Sequence, residues 1–196
     1  MTYSERLKKL PDQFFAALVQ KVSRATAEGR DIINLGQGNP DQPTPPHIVK
    51  ALQAAAEDAQ THKYSPFRGL EELKEAAADF YQKQYGVKID PKQEVAILFG
   101  TKAGLVELPM CLLNDGELML LPDPGYPDYL SGAVLANVNV KTFPLTKDNQ
   151  FLPDYESIPV EQRNEAKLMY LNYPNNPTGA TADLAFFEKT VAFAKE

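Results

Sequence analysis

Glu117-Leu118-Met119-Leu120-Leu121, continuing into Pro122-Asp123-Pro124-Gly125-Tyr126-Pro127-Asp128-Tyr129, decides the fold. A short apolar run closed by a Pro/Gly turn reads as a strand over 117–121. The pattern after the turn predicts a helix over 126–136. On the N-terminal side, Val95-Ala96-Ile97-Leu98-Phe99 is another apolar run, apolar at every position as in a buried parallel strand. Gly100 ends it, and a helix over 102–113 follows, with Pro109 predicting a kink. On the C-terminal side come strands over 138–143 and 167–172, a loop with a short helix over 147–165, and a helix from 182 to the end. Strands alternating with helices predict an α/β fold: three layers, α/β/α, around a mostly parallel sheet with right-handed crossovers.

Before residue 95 the pattern is mainly helical. Asp12 is placed to cap a helix whose apolar residues are Phe15, Leu18, Val19 and Val22, with Gly29 as its end. Ile32-Ile33-Asn34-Leu35 reads as a short strand, and 36–46 as a loop. Thr44-Pro45-Pro46 predicts a helix start, because proline fits the first turn. That helix gathers Ile48, Val49, Leu52, Ala55, Ala56 and Ala59 on one face. A further helix over 70–85 turns Leu73, Ala76, Ala77, Phe80 and Tyr81 inward and stops at Gly86.

The chain has 196 residues, 20 Lys+Arg and 26 Asp+Glu, a net charge of −6. An acidic balance without a basic patch argues against nucleic acid as partner. No apolar run reaches the ~18 residues of a membrane span, and residues 1–10 lack a secretory h-region. The lone cysteine, Cys111, sits in an apolar stretch that predicts a buried thiol. With no internal disulfide available, the expected setting is the reducing cytoplasm. His47 and His62 stand alone, outside any metal-ligand spacing.

Four segments carry chemistry. Phe99-Gly100-Thr101-Lys102-Ala103-Gly104 turns from strand to helix, where free backbone N–H groups bind anions and Thr101 adds a hydroxyl. The competing reading is an ordinary strand–helix turn, with Lys102 merely solvated. In Asp123-Pro124-Gly125-Tyr126-Pro127 two prolines fix the aim of Tyr126, a ring able to stack on a flat ligand or to serve as a core aromatic. Asn172-Tyr173-Pro174-Asn175-Asn176-Pro177-Thr178-Gly179 concentrates uncharged amide donors between prolines, beyond the needs of a plain polar loop. Leu35-Gly36-Gln37-Gly38-Asn39-Pro40-Asp41 follows a predicted strand but lacks the third glycine and the helix of a dinucleotide site; backbone passing close to a ligand is the better functional reading. Ligands of open α/β sheets sit beyond the carboxyl ends of the strands, where the first three segments fall.

Together these motifs resemble the N-terminal part of class I/II aminotransferases, pyridoxal-phosphate enzymes of fold type I. Within that family the likeness is greatest to the methionine-salvage transaminases, with diaminopimelate-type aminotransferases close by. The resemblance implies transfer of an amino group between an amino acid and a 2-oxo acid, glutamine to 4-methylthio-2-oxobutanoate in methionine salvage. It implies pyridoxal 5′-phosphate as cofactor, with Thr101 and Lys102 on its phosphate, Tyr126 stacked on its ring and Asn176 on its phenolic oxygen. It also implies a homodimer in which Tyr64 reaches the neighbouring subunit's phosphate, and close approach of the substrate carboxylate at Gly38. Phe14-Phe15 falls near the substrate in such relatives, although core packing competes for the pair. Cis bonds are implied at Asp123–Pro124 and Asn176–Pro177. Residues 1–45 correspond to an N-terminal arm and small-domain segment, and 46–196 to an incomplete large domain. The Schiff-base lysine, which family members carry after the Asn-Pro-Thr-Gly motif in a Ser-x-x-Lys or Ser-x-Lys setting, has no counterpart here, so the chain alone is expected to be inactive. A non-catalytic dimerising or regulatory fragment, and a carbon–sulfur lyase or decarboxylase of the same fold, are the alternatives.

Overall fold

In chain order, the helices and strands of the computed structural model are α1 (Glu5–Lys8), α2 (Phe14–Ala27), α3 (Pro46–Glu57), α4 (Glu71–Tyr85), α5 (Thr101–Leu112), β1 (Leu118–Asp123), α6 (Pro127–Leu135), β2 (Asn139–Pro144), α7 (Val160–Glu165), β3 (Ala166–Met169) and α8 (Leu184–Lys195). The structure describes residues 2–11, 14–36, 38 and 40–196; the capping role expected of Asp12 falls outside them. Two compact units divide the chain. One comprises 1–11 and 99–196, the other 12–98.

The first unit is built on β1. Its neighbours β2 and β3 both run parallel to it, in the order β2-β1-β3. Side chains of β1 alternate between faces, as a pleated strand requires. Leu118 and Leu120 enter a core with Phe143, Leu145, Tyr155, Ile158 and Phe186 of α8. Met119 and Leu121 enter a second core with Leu113, Tyr129, Ala133 and Tyr170. A sheet with a core on each face gives the three expected layers. On the second face, a Cβ at Gly132 of α6 would stand 3.0 Å from Leu105 O of α5. A side chain there would hold the two helices apart.

Tyr173 closes the first core. Its hydroxyl donates to Phe151 O at 2.8 Å. Burial, with a lesser contribution from Tyr155, pushes its pKa from 10.0 up to about 12. The unfolded phenol ionises first, so this stabilisation is complete below pH 10 and is lost as pH rises through about 12. We therefore expect the urea midpoint to fall steadily across that alkaline window, and Tyr173→Phe to flatten the fall. An unchanged slope in the variant would show that Tyr173 does not carry it.

The second unit holds α2, α3 and α4. Each start and stop has a local cause. Pro46 opens α3 at its first position, and Gly86 ends α4 with φ 67°, a left-handed conformation that favours glycine. In both units some of the burial and pairing expected from the sequence does not form. Residues 32–35 and 95–98 form no strand, and Phe99 is fully exposed. A strand exists only through a ladder partner, and among the described residues none pairs with either run. The apolar faces of α3 and α4 are open, with Leu52 70% and Phe80 53% exposed, while Lys74 is buried against Glu71 at 2.6 Å. Their spacing is right for amphipathic helices, but the described residues supply no cover. For the same reason Cys111 is exposed rather than buried, and Phe14 and Phe15, edge to face at 5.5 Å, remain largely in solvent.

Candidate active site

The carboxyl ends of β1 and β3 lead into the segments 123–127 and 172–179, and because the two strands are parallel neighbours both segments leave the same edge of the sheet. α5 is fastened to this edge by Tyr170, whose hydroxyl donates to Leu105 O at 2.9 Å. Its N-cap is Gly100, at φ 85°, and among the described residues no side chain caps the helix. Ala103 N donates to Gly100 O at 3.2 Å, which leaves the Thr101 and Lys102 N–H groups without an acceptor among the described residues. Thr101, the first residue of α5, is exposed beside them.

Lys102 follows and crosses to the next loop. Its Nζ lies 3.0 Å from Asp128 Oδ2 and 5.6 Å from the centroid of the Tyr126 ring. The Tyr126 hydroxyl, and after it Asp128, favour the protonated amine and raise its pKa. The Tyr126 ring is half-buried, packed against the second core and T-shaped to Tyr129, with ring centroids 5.7 Å apart. Burial raises the pKa of Tyr129, with Tyr126 a smaller cause, so the core tyrosine stays a neutral neighbour of the half-buried Tyr126.

The amides of the third segment divide their labour. Asn175 is buried and structural: its Nδ2 donates to Thr178 Oγ1 at 2.8 Å, and its backbone pairs with Ala180 and Gly179. Asn172 Nδ2 donates to Pro174 O. Asn176 is exposed at the tip. Peptide bonds 123–124 and 176–177 are cis, as expected, and so is 173–174, which was not expected.

Lys102 and Tyr126 are therefore brought together, with Thr101 beside Lys102 at the start of α5, and Asn176 is placed on the neighbouring loop at the same end of the sheet. Tyr64, fully exposed, and Gly38, with open space where a Cβ would stand, belong to the other unit. A separate apolar hollow of about 330 Å³ lies between Tyr126, Leu130 and Val140. Thr101 and Asn176 are not among its walls, so the cavity is not where the donors gather. Sequence reading missed Asp128. The signal was an acidic residue directly after Pro127 in a helix first turn.

The donor set suits a phosphorylated aromatic. Free N–H groups, a hydroxyl and an ammonium match a phosphate dianion; a propped aromatic ring matches a flat heterocycle; an exposed amide matches a phenolate oxygen.

The chain is 64% identical over 193 residues to the L-glutamine–4-(methylsulfanyl)-2-oxobutanoate aminotransferase of Bacillus subtilis (strain 168), covering 98% of this chain and 48% of that protein. It is 46% identical over 193 residues to the LL-diaminopimelate aminotransferase of Syntrophobacter fumaroxidans, covering 98% and 50%. The solved structure of apo-BacF from Bacillus subtilis superposes with a TM-score of 0.93 at 52% identity, over 100% of this chain and 50% of that one. A Thermus thermophilus aspartate aminotransferase superposes at 0.87 and 26% identity, over 100% and 50%. The chain thus spans about half the length of the relatives it matches. Its α/β architecture is that of the pyridoxal-phosphate enzymes of fold type I. The family model for aminotransferases of class I and II matches residues 30–196, the stretch that holds every donor described above, and the chain belongs to that family.

Proposed function

We propose that this chain supplies the cofactor cradle of a pyridoxal-phosphate-dependent transaminase that moves an amino group between an amino acid and a 2-oxo acid. The observation that carries the reading is the gathering of an uncapped helix start, Lys102 and the Tyr126 ring at one sheet edge. In this reading Thr101 and Lys102 hold the phosphate, Tyr126 lies against the ring and Asn176 donates to the phenolic oxygen, favouring its ionised form. When bound, the cofactor supplies an electron sink for the α-carbon. The protein's part is to fix the ring's plane and exclude alternative orientations.

Gly38 lets the substrate carboxylate approach the main chain. Tyr64, which is fully exposed, reaches the phosphate of a second subunit, so the working form is a homodimer. Residues 1–45 act as arm and small-domain segment, and 46–196 as part of the large domain. The setting is cytoplasmic. Among substrates, glutamine and 4-methylthio-2-oxobutanoate are favoured over diaminopimelate, because the relative named for the former pair is 64% identical and the one named for the latter 46%. A full-length protein containing this chain should form methionine from that pair faster than it consumes diaminopimelate; the opposite preference would reverse the substrate assignment, and no transfer from either donor would end the transaminase reading.

The chain alone is a binding module without turnover. No lysine in it has the Ser-x-x-Lys or Ser-x-Lys setting of the family's nucleophile. After incubation with pyridoxal phosphate and borohydride reduction, peptide mapping should find only scattered substoichiometric adducts. One lysine labelled to completion would identify a nucleophile within the chain and overturn this part of the reading.

A further inference from the structure

We infer that Asp128 is a positioning residue of the cradle: its carboxylate holds the Lys102 ammonium across the Tyr126 ring and so ties the first turn of α5 to the first turn of α6. The inference rests on the cofactor reading above and adds to it a residue that touches no ligand.

A lysine at the second position of a helix is electrostatically misplaced, because the helix start is itself positive. Left alone, the Lys102 ammonium would swing away from α5 on its flexible stem. Asp128 has the opposite situation. It is the second residue of α6, after Pro127, where the helix start favours a carboxylate. Its side chain is 17% exposed against 66% for Lys102. The better-buried carboxylate is the fixed partner, and the lysine comes to it. Tyr126 is the N-cap of the same helix, so the ring and the carboxylate that flank Lys102 share one rigid turn.

Two effects of the carboxylate on a phosphate compete. Its charge repels the anion, while its grip keeps a cation beside the free N–H groups of α5. The charge of Asp128 is already met by Lys102 and by the start of α6, so the grip prevails. Exposed ion pairs have modest worth, and the effect is correspondingly modest, about threefold in affinity.

The test uses this chain and pyridoxine 5′-phosphate, which keeps ring and phosphate but has no aldehyde to react with lysines. Asp128→Asn should weaken binding about threefold, on the order expected of one exposed pair. Asp128→Glu should restore part of it. In a Lys102→Gln background the same Asn change should have no further effect, since the double-mutant cycle isolates the pair. Unchanged or tighter binding by Asp128→Asn overturns the inference, as does an undiminished loss in the Lys102→Gln background. A second arm needs no ligand: in competitive amine labelling across alkaline pH, Asp128→Asn should lower the midpoint of Lys102 reactivity. No change there refutes the pairing itself. Failure of the unaltered chain to take up pyridoxine 5′-phosphate would instead overturn the cofactor reading, and with it the positioning role, while the labelling arm still decides on the pair.

Discussion

Tyr155→Ala should lower the stability of the first unit by about 3–5 kcal/mol, the range for deleting a large buried aromatic. Tyr155 is 1% exposed. Its ring stacks on Phe193 at 4.4 Å and on Phe186 at 6.3 Å, and its hydroxyl meets Thr190 Oγ1 at 2.6 Å. All three partners are on α8, so one side chain fastens that helix over Leu118 and Leu120. Truncation would open a cavity and loosen the cover of one sheet face at once. Against a total of about 5–15 kcal/mol, such a loss brings the unit near its unfolding threshold. The measurement is the denaturant midpoint followed by near-ultraviolet circular dichroism. Tyr155→Phe is the control. It removes only the hydroxyl, and Thr190 still donates to Phe186 O at 2.9 Å, so a loss of about 0.5–1.5 kcal/mol is expected. Equal losses for Ala and Phe would mean that the ring does not fasten α8.

The elements legible in the sequence are those with local causes. β1 alternates between two cores from a run of four apolar residues, α4 stops where Gly86 permits a positive φ, and α5 begins at the turn marked by Gly100. What failed depends on partners. The run 95–99 has the composition of a buried strand, yet composition records a preference for cover and not its supply. Cys111 and Phe80 are exposed on the same ground. Within the site, the residue types mark the amide-rich loop without dividing its asparagines, and the family resemblance alone singles out Asn176. The hydrogen bonds show Asn175 spent on Thr178 and on the loop's own backbone, with Asn176 at the exposed tip. The place of Asp128 is not legible in the sequence because its partner, Lys102, is 26 residues away and on another helix. Contacts of that kind follow from the crossing of α5 and α6, which no local pattern encodes.

Tyr126→Ala should weaken the binding of pyridoxine 5′-phosphate roughly 5- to 150-fold, the equivalent of the ~1–3 kcal/mol that stacking of a flat ring on an aromatic side chain is worth. The ring is suited to that role because it is held before any ligand arrives. It packs against the second core in a T-shaped pair with Tyr129, centroids 5.7 Å apart, and Tyr129 forms a T-shaped pair with Tyr170 at 5.0 Å. Little conformational freedom remains to be lost on binding, which is the source of affinity in a prearranged site. Truncation removes the stacking surface and also one of the two groups flanking the Lys102 ammonium, so phosphate and ring contacts both weaken. Tyr126→Phe keeps the surface and the cation's aromatic neighbour and should bind within a fewfold of the unaltered chain. Because Tyr126 is only half-buried and Tyr129 is retained, the denaturation midpoint should fall far less than in Tyr155→Ala. That contrast separates a lost contact from a lost fold. Should Tyr126→Ala bind as tightly as the unaltered chain while remaining folded, the ring is a core aromatic of the turn and the flat ligand lies elsewhere.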